Sequence, residues 1–268
     1  MRSVGDPGFG DVWVRDAINA GKYVGPRLVT SGVGVTVPGG HGAGLFAHIA
    51  KTPDEAREIV RECFAHKCDL VKLFITGGVD AEKEGEPGVL RMSPEIAAAA
   101  VDEAHKLDMH TAAHIESSEG VRVGLQAGVD TIEHGGVLDD ELLAAFRENG
   151  VGRASALTCT ISPALPFIKL PPEMTHSTDV QVTNGRIVYE GIVDAAKKAL
   201  AAGIPVGLGT DSACLMSRST TCGASWCISS ASSALAVSLR CIRPRWATRA
   251  SLAWAIRPVP SRWGNQPI

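Results

Sequence analysis

Short apolar runs alternate with longer amphipathic stretches along most of the chain, and the alternation can be read as an order of elements. Apolar runs of about four to eight residues bounded by turn residues are strand signals. Apolar residues recurring every three to four positions are helix signals. Strands are predicted at 2–6, 26–31, 70–76, 110–115, 129–133, 152–157 and 205–211. Helices are predicted over about 11–20, 53–67, 94–106, 118–126, 140–150 and 184–202. Thr52, Pro53 and Glu55 give a cap, a proline at the first helical position and a glutamate three residues after the cap. Ser93-Pro94 and Asp139 open two further helices, Ser117, Ser118 and Glu119 form a cap, and Gly128 stops the helix that follows. The glycine-rich VTVPGGHGA at 35–43 reads as a loop, and 158–180 as a long irregular one. Seven strands alternating with helices predict an α/β fold with a parallel sheet, one strand short of a closed (β/α)8 barrel of TIM type.

Two of these strands end on histidines, His114 and His134, joined by one helix. Both imidazoles then fall at the C-terminal edge of the sheet, where barrel active sites sit. Lys72 lies in a third strand and Asp211 ends the last one. Imidazole suits zinc, and a carboxylate can complete such a site. Each residue also has a plainer reading. The histidines can be buried and hydrogen-bonded, Lys72 can pair with a carboxylate at the barrel mouth, and Asp211 can cap the next helix. His41, in GGHG, sits on a loop that should reach the mouth, as a substrate contact or as a solvated loop residue. Cys214 reads as a small packed residue.

The words VKLFITGG, TAAHIESSEG, AGVDTIEHG and GLGTDSA, in that order and at β/α spacing, resemble the metal-dependent amidohydrolase superfamily in its imidazolonepropionase-like and prolidase-like branch. The resemblance covers roughly residues 1–214. It implies a metal site of Lys72, His114, His134 and Asp211 holding one or two divalent ions, most simply zinc, with Lys72 carboxylated so that its carbamate bridges two cations. It also implies Asp211 as the group that takes a proton from a metal-activated water, and His41 as a substrate contact. The implied reaction is hydrolysis of a C–N bond in a small amide, cyclic amide or dipeptide-like substrate, not necessarily a peptide. The superfamily's first strand carries a His-x-His pair, and none occurs here. The chain is therefore expected to hold strands two to eight, without the first strand and the small β-domain that flanks it.

Composition narrows the alternatives. A net charge of −3 over 268 residues gives no reason to expect nucleic acid or an anionic membrane as partner. No apolar run approaches the roughly 18–20 residues of a membrane span. The first residues lack the apolar core of a signal peptide, and seven cysteines without zinc-finger spacing argue against a disulfide framework. A cytoplasmic compartment is expected, and a homo-oligomer is left open.

Composition breaks at Cys214. All 29 acidic residues precede it, while seven arginines, four of the five tryptophans and no lysine follow. Residues 1–214 are thus expected to form the barrel fragment, and 215–268 an atypical Arg/Ser/Trp-rich tail. Reading that tail one base out of register allows words similar to the superfamily's own at Thr221–Trp226, Arg245–Arg249 and Trp263–Ile268, which favours a frame-shifted end. Three functions compete: a working hydrolase, a catalytically inactive fragment, and a non-catalytic binding protein that keeps the pocket.

Overall fold

The computed structural model describes residues 1–212. In chain order the elements are α1 (Gly10–Asn19), β1 (Gly34–Thr36), β2 (Ala47–Ile49), α2 (Pro53–Ala65), β3 (Leu70–Phe74), α3 (Pro94–Lys106), β4 (His110–Ile115), α4 (Ser118–Ala127), β5 (Thr131–His134), α5 (Asp140–Arg147), β6 (Ala156–Cys159), α6 (Ile161–Lys169), α7 (Pro172–Thr175), α8 (Asp179–Ala201) and β7 (Val206–Leu208). The strands form one sheet of order β2-β1-β3-β4-β5-β6-β7, parallel throughout. Among the described residues β2 and β7 do not pair, so the sheet is the incomplete barrel that the strand count predicts. No helix among them is long and apolar enough to cross a membrane. The expected boundary at 214 and the tail 215–268 lie outside the described residues.

Register sorts the side chains into two faces. Lys72 pairs with Ala112, Ala112 with Thr131 and Thr131 with Ala156; one layer up, Phe74, His114, Glu133 and Thr158 are in register. These residues share the concave face, because side chains alternate along a strand and parallel partners point the same way. The intervening Val71, Leu73, Ala113, Ile115, Ile132 and Leu157 belong to the apolar core with Val60, Val101, Leu125 and Phe146 of the helices. Truncating Phe146, 1% exposed, to alanine should cost roughly 3–5 kcal/mol. The concave face is instead charged and polar. Arg2, whose backbone bridges to Val29, reaches across to Thr131 (3.0 Å), Glu133 (2.6 Å) and Thr158 (3.0 Å). That reach shows how tightly the sheet is curled.

The caps explain where the helices begin. Thr52 Oγ1 accepts from Glu55 N (3.2 Å), Ser117 Oγ from Gly120 N (3.2 Å), and Asp139 Oδ1 from Leu142 N (2.8 Å). Gly128, at φ 90°, closes α4 in the left-handed region that glycine enters freely.

Three expectations need correction. First, 2–6 and 26–31 are not strands; they meet in a single bridge, Arg2 to Val29, and Pro26 removes a donor where a ladder would start. The two strands lie instead inside and just after the segment read as a loop. Val33, Val35 and Val37 are each 5% exposed or less, so the valines outweigh the glycines around them. Second, 158–180 is not irregular: it holds the end of β6 and then α6 and α7, the former carrying Pro163 in its first turn and Pro166 inside. Those prolines hid the helix. Third, α8 starts at Asp179 rather than 184, behind a capping box in which Thr178 and Gln181 bond reciprocally.

Candidate functional site

The middle of β3 and the upper ends of β4 and β5 bring Lys72, His114 and His134 together. All three are buried, between 3% and 5% exposed. The His114 and His134 rings meet edge to face at 4.7 Å. Strict alternation would turn His134 away, since it is in register with Ile115 on the helix-facing side. A left-handed backbone at His134 (φ 71°) ends the strand and returns the ring to the site. Such a conformation costs a non-glycine residue roughly 1–2 kcal/mol, and strain of this kind concentrates at functional sites. Asp211, at φ 46°, is also in that region. The glycines after His134 are needed for contact: a Cβ on Gly136 would lie 2.6 Å from the Ser117 carbonyl carbon, at the start of α4.

Hydrogen bonds orient both rings. His114 Nε2 lies 3.1 Å from the Gly77 carbonyl, which can only accept, so Nε2 carries the proton and Nδ1 keeps its lone pair. His134 Nδ1 lies 2.5 Å from Thr160 Oγ1, leaving Nε2 for another partner. This outer arrangement is what holds a ligating imidazole in one tautomer. Burial and the neighbouring His134, His41 and Lys72 hold the pKa of His114 well below the usual imidazole value. Burial, with Lys72 next, takes His134 down to about 3. Both are neutral at physiological pH.

Lys72 is brought down to about 8 by burial, while Glu133, Asp211 and Glu116 pull the other way. Its Nζ lies 4.9 Å from the centroid of the Phe74 ring. Burial raises the Asp211 carboxyl, with Lys72 and His41 opposing. Lys72 and Asp211 thus lie near enough for each charge to act on the other. His41 stacks on His114 at 4.4 Å with planes 4° apart, and its Nδ1 lies 3.4 Å from Asp80. The 35–43 segment therefore does carry His41 to the mouth.

The sequence reading passed over one residue here, Glu116. Its carboxylate and the nitrogens of His114 and His134 have ligand atoms all within 4.8 Å of one another. Oε2 of Glu116 is buried without a hydrogen-bond partner. Burial, then the charges of Asp211 and Asp80, raise this carboxyl to about 8. The signal was the H-x-E spacing at the end of β4, masked by the Ser-Ser-Glu cap that follows it.

The sequence profile of the amidohydrolase family matches residues 1–247, and the chain belongs to that family. It is 39% identical to a putative prolidase from Bifidobacterium longum, with a TM-score of 0.79 over 87% of this chain and 57% of that one. It is 28% identical to a Xaa-Pro dipeptidase with methionine bound in its active site, with a TM-score of 0.70 over 84% and 57% of the two chains. Ochratoxinase of Aspergillus niger is 26% identical over 226 residues, 75% of this chain and 45% of that protein. The chain thus spans less than half the length of the curated relatives it matches, 45% of ochratoxinase and 31% of an uncharacterized protein from Mycobacterium bovis.

Proposed function

We propose that the chain carries the catalytic face of a metal-dependent hydrolase of amide C–N bonds, acting on a small dipeptide-like substrate. The observation that carries this reading is the pair of neutral, oriented imidazoles with the orphaned Glu116 oxygen beside them. A divalent cation fits that set. Buried polar atoms are nearly always satisfied, and a carboxylate oxygen left alone beside two imidazole lone pairs answers to a cation. The residues to hold it are His114, His134, Lys72 and Asp211, with Glu116 adjacent. Lys72 can serve only without its proton. Its lowered pKa, about 8, favours the neutral amine that carboxylation by carbon dioxide requires, and the carbamate so formed offers two oxygens. Zinc is the simplest choice for nitrogen and oxygen donors.

When bound, the cation supplies a Lewis acid that polarises the scissile carbonyl and lowers the pKa of an attacking water toward roughly 7. The chain's own residues do the rest. The Asp211 carboxylate, with a raised proton affinity, accepts the proton of that water and delivers it to the leaving nitrogen. His41, held flat on His114, contacts the substrate at the mouth. Phe74 and Phe46, 5.4 Å apart, give the adjacent wall an apolar surface. The names of the relatives support the substrate class: a Xaa-Pro dipeptidase and an ochratoxinase are among them.

The test is to load the chain with zinc, count bound ions, and assay a panel of aminoacyl-proline dipeptides and N-acyl amino acids. The expected result is turnover that a chelator removes and zinc restores. A chain that holds zinc through His114 and His134 yet cleaves no member of the panel would make the pocket a binding site only.

A further inference from the structure

Asn184 sits in the second turn of α8, wholly buried. A buried amide inside a helix cannot use the helix's own backbone and must find partners elsewhere. Asn184 finds them all in one loop, the segment between β3 and α3. Its Oδ1 accepts from Gly85 N at 2.9 Å. Its Nδ2 faces the carbonyls of Ala81 and Lys83, both at 3.3 Å, and of Val79 at 3.5 Å. One side chain thus gathers four backbone groups of a segment that has neither helix nor strand between Thr76 and Pro94.

That loop borders the metal-ligand cluster. It carries Asp80, 3.4 Å from His41, and His41 lies flat on His114. A contiguous path runs from the amide in α8, through the loop backbone, to the ring stacked on a candidate ligand. We infer that Asn184 is a positioning residue: it clasps loop 79–85 so that Asp80 holds His41 over His114. The inference rests on the hydrolase reading only for its consequence in turnover. The clasp itself stands on hydrogen bonds that exist whether or not the chain hydrolyses anything.

The experiment is amide hydrogen exchange on the full chain, comparing the parent with Asn184→Ala and Thr183→Val. Alanine is the best helix former, so α8 should survive the first substitution. The second removes only an exposed contact, Thr183 Oγ1 to Glu84 at 3.0 Å. Leaving buried loop carbonyls and the Gly85 N–H without partners should speed exchange across 79–86 by about tenfold or more in Asn184→Ala. Exchange in β3, β4 and the second half of α8 should change little, and Thr183→Val should behave as the parent. Unchanged loop exchange in Asn184→Ala overturns the inference. So does loosening that spreads equally through α8 and the sheet, which would make Asn184 a general packing residue. A second arm uses a substrate that the dipeptide and N-acyl amino acid panel yields: Asn184→Ala should raise KM more than it lowers kcat, and should add little in an Asp80→Ala background. Full additivity of the two substitutions would break the path through Asp80. The exchange arm decides the clasp even if no substrate is found, so its failure is separate from failure of the hydrolase reading.

Discussion

The barrel carries two clusters of the same residue types at opposite ends of β4 and β5, and they are built to opposite specifications. At the lower end Asp130 Oδ2 accepts from Thr111 N (2.8 Å), Thr111 Oγ1 (2.9 Å) and His105 Nε2 (3.0 Å), with His110 Nδ1 at 3.6 Å. Burial alone would raise this carboxyl, but the hydrogen bonds from His105 and His110 hold it well below the usual carboxylate range. At the upper end His114, His134 and Glu116 crowd together with one carboxylate oxygen left over, and burial drives Glu116 up and both imidazoles down. One cluster is complete and pins the start of two strands. The other leaves Glu116 Oε2 buried and unpartnered. Two histidines and a carboxylate are therefore weak evidence of a metal site by themselves; the unfilled valence separates chemistry from architecture.

The sharpest way to break this contrast is to substitute residues at both ends, two above and one below. His134→Ala should abolish zinc-dependent turnover, by about a thousandfold or more, and remove most of the bound zinc, read by elemental analysis and assay. Asp211→Asn should instead keep zinc within about tenfold of the parent affinity and lose roughly a hundredfold or more in kcat, because the proton acceptor is gone. Equal loss of zinc in the two variants would make Asp211 mainly a ligand. At the lower end Asp130→Ala should leave zinc binding untouched and destabilise the chain by about 2–4 kcal/mol in urea, since the two Thr111 donors and His105 lose their acceptor. If Asp130→Ala costs zinc affinity, the two ends are coupled and the distinction falls.

Most of the upper cluster was legible because it follows from strand ends. His114 and His134 close apolar runs, and Lys72 and Asp211 close or occupy two more. Spacing alone places the two imidazoles at one edge, whereas Lys72 and Asp211 join them through the resemblance to the superfamily. Glu116 was not legible, because its importance lies in what it fails to contact. Arg2 escaped for a different reason: its partners Thr131, Glu133 and Thr158 are more than a hundred residues away and meet it only when the sheet curls. The helices with strong caps stood out in the sequence, whereas α6, with prolines in its first turn and interior, did not. The valines of β1 were overruled by their glycine neighbours. Local patterns reveal what local energetics determine, and the missing parts are those set by closure.

The smallest expected effect is also the cleanest reading of the orphaned carboxylate, through stability against pH in the metal-free chain. Glu116 has a folded pKa raised to about 8 by burial, against roughly 4.3 for an unperturbed glutamate. A raised pKa means the folded state binds the proton more tightly than the unfolded one, so its contribution is full below the unfolded value and is lost as pH rises to the folded one. The histidines work the other way: His134, at about 3, and His114, held well below the usual imidazole value, differ from the unfolded state up to about pH 7.5, one unit above the unfolded value of roughly 6.5. Lys72, at about 8, departs from its unfolded behaviour from about one pH unit below that value, also in the opposite sense to Glu116. Asp211, also raised, adds to the slope of Glu116. The imidazoles at the lower edge and Lys72 at the upper edge of the window from about pH 6.5 to 8 oppose the carboxyls, so the contribution of Glu116 is read as a difference: relative to Glu116→Gln, the metal-free parent should lose stability as pH rises. Glu116→Gln removes the titration and keeps the shape, and saturating zinc should remove the loss in the parent by binding the ionised form. Urea midpoints at three pH values across the window suffice. A parent curve that runs parallel to that of Glu116→Gln from 6.5 to 8 without metal would show that Glu116 is paired in solution, and the upper cluster would then be as complete as the lower one.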